Sequence, residues 1–154
     1  QNTVAIVTNG TAVLGLGDIG AVAGMPVMEG KALLFDLLAG VSGVPILIEN
    51  ADPKVIIETV RNIAPTFGAI KLEDIKAPEC FEIEDTLDQE LDIPVLHDDQ
   101  HGTAVVVLAA LLNATRFSGL MLSKSVVGVI GLGAAGMGIS KLLLSYGVKK
   151  VIGS

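Results

Sequence analysis

The stretch from Ser125 to Tyr146 constrains the fold more than any other. An apolar run, Ser125 to Ile130, leads into Gly131-Leu132-Gly133-Ala134-Ala135-Gly136, and a helix-periodic segment follows from about Ala134 to Tyr146, where Gly147 ends it. Lys149 to Gly153 then begins another apolar run. A strand that enters a glycine turn and leaves as a helix, with a further strand behind it, is the βαβ unit of a parallel sheet. The spacing G-x-G-x-x-G has a physical meaning in that place. The first glycine permits a tight turn, the second lets backbone approach a pyrophosphate, and the third lets the helix sit close to the strand. The phosphate would rest at the helix N-terminus, where free amides and the helix dipole favour an anion. A glycine pattern alone is weak, but these flanks favour dinucleotide binding at Gly131, Leu132, Gly133, Ala134, Ala135 and Gly136 over a structural turn. The side chain that would separate NAD from NADP follows the next strand, past Ser154.

The same alternation runs back through the chain. Val4 to Val7, Val44 to Ile48, Phe67 to Leu72 and Pro94 to Leu96 read as short buried strands. Met28 to Leu38 reads as a helix with Leu33, Leu34, Leu37 and Leu38 on one buried face, ended by Gly40 and Gly43. Asp52-Pro53 opens the next helix as cap and first-turn proline, with Val55, Ile56, Val60 and Ile63 as its stripe. In Pro78 to Leu91 the residues Cys80, Ile83, Leu87 and Leu91 recur at helical spacing, and the many acids mark a solvated face. Thr103 to about Phe117 is apolar nearly all round, which predicts burial between layers. Strand and helix alternating throughout predict a parallel α/β fold.

Composition narrows the partners. Hydrophobic residues are 51% of the chain and glycine contributes 18 residues, ample for a core of helices on parallel strands. A formal charge of -7 lacks the basic face that nucleic acid or an anionic membrane requires. The longest apolar run, Ala104 to Leu112, is too short to span a bilayer, so a soluble protein is expected. The single cysteine, Cys80, forms no internal disulfide and reads as a packing residue. Starting at Gln1 and stopping at Ser154 inside a strand, the chain reads as an excerpt or a processed piece.

Two acidic pairs, Glu73-Asp74 and Asp98-Asp99, each follow a predicted strand, at the edge where parallel sheets bind ligands. Carboxylates gathered there repel one another, and a divalent cation is the simplest remedy. Oxygen ligands alone favour Mg²⁺ or Mn²⁺ over Zn²⁺. The competing reading is that Asp74 and Asp98 cap the helices that follow. His97 and His101 tempt toward zinc, but two histidines and one cysteine are too few for a usual structural site, so both read as ordinary hydrogen-bonded residues. Lys31, placed at the start of an apolar helix, is either a solvated end residue or a base. As a base it must be neutral, which burial or a nearby cation achieves by lowering its pKa from about 10.4.

Taken in order, Val13-Leu14-Gly15-Leu16-Gly17-Asp18-Ile19-Gly20, Met28-Glu29-Gly30-Lys31, Glu73-Asp74-Ile75, Asp98 to Ala104 and Gly131 to Gly136 closely resemble the malic enzyme family, in its shorter bacterial-type branch. The resemblance covers essentially the whole chain. It implies oxidative decarboxylation of malate to pyruvate and CO₂, with NAD or NADP as hydride acceptor and Mg²⁺ or Mn²⁺ required. It implies Lys31 as general base and Glu73, Asp74 and Asp99 as metal ligands. Residues 1–99 would then be a substrate and metal lobe and 100–154 the start of a Rossmann lobe, joined through His97 to Ala104. A cytoplasmic homo-oligomer is implied as well. The family's general acid, a tyrosine, lies upstream of the matched region, and no motif gives that role to Tyr146. Its downstream malate-binding asparagines are also absent, so these 154 residues alone are expected to be inactive. The longer branch carries an arginine where this chain has Ala12. The rival readings are a malolactic-type enzyme giving lactate and a non-catalytic nucleotide-binding or regulatory fragment.

Overall fold

A computed structural model describes all 154 residues, which divide into two compact units, Gln1–His97 and Asp98–Ser154. In the first unit four strands, β1 (Thr3–Thr8), β2 (Ser42–Leu47), β3 (Ala69–Leu72) and β4 (Val95–His97), form one sheet in the order β2-β1-β3-β4. Every pairing is parallel. The central strand β1 is apolar on both faces because both are covered, and Ala5, Ile6 and Val7 are fully buried. Pro45 lacks a ladder donor and lies in β2, an edge strand, where that loss is tolerated.

Three helices make the crossovers. α1 (Met25–Ala39) packs on β1 and β2, while α2 (Pro53–Ile63) and α3 (Glu79–Glu90) pack side by side. α1 starts three residues ahead of the expected Met28, since Pro26 suits the first turn of a helix. It ends at Gly40 in the left-handed conformation. Asp52 caps α2 as expected, accepting the Lys54 amide at 2.9 Å. Cys80, Ile83 and Leu87 of α3 are fully buried, with Cys80 a packing residue.

In the second unit α4 (Asp98–Ser118) packs on α5 (Ala134–Tyr146), and β5 (Val126–Val129) pairs in parallel with β6 (Lys150–Gly153). The β5-α5-β6 order is the βαβ unit read from the sequence. A small core gathers Leu122, Leu143 and Val148, with Leu108, Leu111 and Leu112 of α4 packed against it. No helix of the chain is long and apolar enough to cross a membrane.

Three burial expectations are corrected. Leu33, Leu34, Leu37 and Leu38 are exposed, and α1 instead turns Met28 inward. The leucines do form one stripe, but the stripe beside Met28 is the one the sheet covers. In α2 the buried residues are Ile56, Ile57 and Val60, so the stripe is rotated away from Val55. In α4 only Gln100 and Ala104 are buried, and Val105, Val106 and Phe117 are exposed. That helix packs along one side within its unit, so an all-round apolar composition does not translate into all-round burial.

Candidate functional site

In the first unit the chain order around β1 switches direction, with β2 on one side and β3 on the other. Open parallel sheets place ligand sites outside the carboxyl ends of the strands at such a switch. The residues that leave β1 and β3 there are Asn9 to Ala12 and Glu73 to Lys76. Glu73 and Asp74 are both buried, a costly state for two adjacent acids that requires compensating partners.

Backbone bonds fix the two segments to each other. The Glu73 amide donates to Val7 O at 2.9 Å and the Ala12 amide to Asp74 O at 3.0 Å. The Lys76 amide donates to the Thr11 hydroxyl at 3.0 Å, and that hydroxyl donates onward to Asn9 Oδ1 at 2.7 Å. Between these anchors Asp74 takes φ 53°, the only positive φ outside glycine in the chain. Asp is among the few residues that visit this region readily, and a strained conformation held by its surroundings is typical of functional sites.

Lys31 and Glu73 are brought together. Lys31 Nζ donates to Glu73 Oε1 at 2.8 Å, and a second lysine, Lys71, has Nζ 2.9 Å from Oε2. Lys31 is therefore not the start of its helix, as its position in the sequence suggested. It lies in the second turn of α1 and is partly buried, with its ammonium held on a buried carboxylate. Lys71 Nζ also stands 5.2 Å from the centroid of the Phe35 ring, within cation–π range. A groove of about 550 Å³ opens beside the carboxyl ends of β1 and β2, between Asn9, Asp18, Glu49 and Asn50.

β3 and β4 are in register with Leu72 opposite His97, so Glu73-Asp74 and Asp98-Asp99 follow the ends of neighbouring strands. The first pair leaves its strand as a loop. The second pair forms the first turn of α4, which starts five residues before the expected Thr103. Acids are favoured there by the helix dipole. Asp98 lies so close to Gly102 that a Cβ on that glycine would fall 2.3 Å from Asp98 Oδ1, so the absence of a side chain at position 102 accommodates the carboxylate. His97 is fully buried, and its amide donates to Glu84 Oε1 at 2.6 Å.

The glycine fingerprint is built as its spacing requires. Gly131 has φ 89°, a turn conformation that side chains disfavour. At Gly136 an added Cβ would lie 1.9 Å from Gly131 O, while at Gly133 it would meet nothing within 4 Å. The third position is thus closed by the protein itself and the second faces open space. The Met137 amide donates to Gly133 O at 3.0 Å, and the amides of Ala134, Ala135 and Gly136 ahead of it have no acceptor within the helix. An open cradle at a helix N-terminus fits a pyrophosphate, and hard oxygen donors at Glu73 and Asp74 fit Mg²⁺ or Mn²⁺.

Sequence reading missed three contributors. Lys71 carried a signal, since two residues before Glu73 on a strand places it on the same face. Glu84 did too, because Cys80, Ile83, Glu84 and Leu87 share helical spacing, so this acid belongs to the apolar stripe rather than to the solvated face. Thr11 carried none beyond its place in a turn.

Comparison with known proteins adds independent findings. Residues 1–54 and 49–88 match the family model described as malic enzyme, N-terminal domain, and residues 100–153 match malic enzyme, NAD binding domain. NAD-dependent malic enzyme 1 of Bacillus subtilis (strain 168) is 63% identical over 154 residues, 100% of this chain and 35% of that protein. An NADP-dependent malic enzyme of Escherichia coli (strain K12) is 52% identical over 149 residues, which are 97% of this chain and 20% of that protein. The crystal structure of an NAD-dependent malic enzyme from Thermotoga maritima superposes with a TM-score of 0.96 at 51% identity, covering 99% of this chain and 40% of that one. The chain thus spans about a third of the length of the Bacillus relative.

Proposed function

The chain belongs to the malic enzyme family, and from that premise we propose that this protein oxidatively decarboxylates malate to pyruvate and CO₂, reducing NAD or NADP. The observation that carries the reading is the partly buried Lys31 ammonium on buried Glu73, beside the constrained Asp74. In this reading Glu73, Asp74 and Asp99 hold Mg²⁺ or Mn²⁺, and Gly131 to Gly136 cradle the dinucleotide. Bound there, the cation supplies polarisation of the C2 oxygen and the dinucleotide supplies hydride acceptance.

The chain's own residues perform the remaining tasks assigned here. The ion pair with Glu73, at 2.8 Å, holds Lys31 as an ammonium in place; a cation taken up by Glu73 would remove that partner and favour the neutral amine, which takes the proton of the C2 hydroxyl. Asp74 presents its carboxylate from a turn that Ala12 and Thr11 brace, so little rearrangement is needed when a ligand arrives. Gly133 leaves room for a phosphate to approach the backbone. Residues 1–99 act as the substrate and metal lobe, and residues 100–154 begin the dinucleotide lobe. We assign the working protein to the cytoplasm, as a homo-oligomer with no membrane or nucleic-acid partner.

Full-length protein incubated with malate, Mn²⁺ and either dinucleotide should reduce the cofactor and form an equal amount of pyruvate, followed by absorbance and product analysis. Lactate without net cofactor reduction would instead make it a malolactic-type enzyme. Nucleotide binding without turnover would make it a binding module.

A further inference from the structure

Glu73 is held by two ammonium groups, one more than the general-base reading uses. Lys71 Nζ stands 2.9 Å from Oε2, with its side chain 13% exposed and that of Glu73 1% exposed. Lys71 lies on β3 and Glu73 is the first residue beyond it, so the contact is short in sequence. A cation ligated by Glu73 would need a carboxylate oxygen at about 2.1 Å. An ammonium on that same carboxylate is then both a rival for the oxygen and a like charge a few ångströms away, in a setting that solvent screens poorly.

Phe35 supplies the other half of the arrangement. It lies one turn along α1 from Lys31, and its ring centroid is 5.2 Å from Lys71 Nζ. An ammonium leaving Oε2 can therefore settle further onto the ring face without crossing to solvent. We propose that Lys71 is a built-in competitor for the divalent cation: its ammonium and the metal contend for Glu73, Phe35 receives the displaced ammonium, and the balance sets the metal affinity of the site. This rests on the reading of Glu73 as a metal ligand. The opposite role, an ammonium that only orients the carboxylate, predicts weaker metal binding when the lysine is removed. Repulsion between a monovalent and a divalent cation at this range outweighs the orientation gained from one ion pair, so removal should tighten binding.

The test is Mn²⁺ binding to the full-length protein without substrate, measured from the electron paramagnetic resonance signal of free Mn²⁺. Lys71→Met should bind Mn²⁺ on the order of tenfold more tightly than the parent, and Lys71→Arg should stay near it. Phe35→Leu should weaken binding about two- to threefold with Lys71 present, and have no effect with Lys71→Met. Lys71→Gln removes the charge by a different side chain should the methionine variant fold poorly. Unchanged or weaker Mn²⁺ binding in both neutral variants would overturn the proposal, as would Lys71→Arg matching Lys71→Met. Glu73→Gln checks the underlying reading separately. If it binds Mn²⁺ as the parent does, Glu73 is not a ligand, whatever Lys71 does.

Discussion

The segment Glu73-Asp74 and the segment Gly131 to Gly136 both follow a parallel strand, yet they are built in opposite ways. The first is made of side chains in contact: two lysines on one carboxylate, and a left-handed aspartate braced by Thr11 and Ala12. The second is made of backbone and of space, where a missing Cβ is either filled by the protein, as at Gly136, or left open, as at Gly133. A site of contacts should fail when a group is taken away. A site of space should fail when a methyl group is added.

The largest effect should come from deleting a side chain in the first segment's surroundings. Lys31→Ala should lower kcat for malate oxidation by about 10²–10⁴-fold, the usual contribution of a positioned general base. Steady-state assay of the full-length protein checks this, and near-parental turnover would remove Lys31 from the chemistry. Asp74→Asn comes next. It keeps a residue suited to φ 53° and removes only the charge, so Mn²⁺ affinity should fall by about a hundredfold with little change in melting temperature. Equal losses of stability and affinity would mean that the carboxylate is needed for folding rather than for metal.

The glycine segment gives a paired test of smaller size. Gly136→Ala must push Gly131 aside, and overpacking of this kind costs about 1–3 kcal/mol. Gly133→Ala meets no protein atom within 4 Å, so its melting temperature should hold while NAD affinity drops. Calorimetric titration and thermal denaturation of both variants separate the two roles, and a stable Gly136→Ala protein would show that the helix can shift at no cost. The smallest effect belongs to Thr11→Val. It removes the acceptor for the Lys76 amide and the donor to Asn9, a loss of about 1 kcal/mol visible in urea unfolding.

The same contrast explains what was legible in the sequence. Backbone rules are local, so α5 was read from Ala134 to Tyr146 and found there, and the cap at Asp52 likewise. Acids at strand ends stood out because neighbouring charges demand a reason. Packing is not local. Leu33, Leu34, Leu37 and Leu38 form a helical stripe, but periodicity reports that a stripe exists and not which stripe a sheet covers. For the same reason Glu84 was read as solvated when it is buried at the His97 amide. That Asp98 and Asp99 follow a strand is legible, but that they do so as the first turn of α4, with no loop between, is not. The contact of Lys71 with Phe35 was not legible, because it depends on where α1 lies.

The left-handed turn at Asp74 also makes the two acids unequal. In the letters of the sequence Glu73 and Asp74 are a redundant pair, and an exchange of their order conserves composition, charge and length. The handedness of the backbone forbids treating that exchange as neutral. The shorter acid occupies the one non-glycine position with positive φ, a region that Asp visits more readily than Glu, and the longer acid occupies the position from which it reaches both lysines. The dipeptide is thus a directional signature, legible in one reading direction only. A chain carrying Asp-Glu at these positions would keep every charge and lose the arrangement.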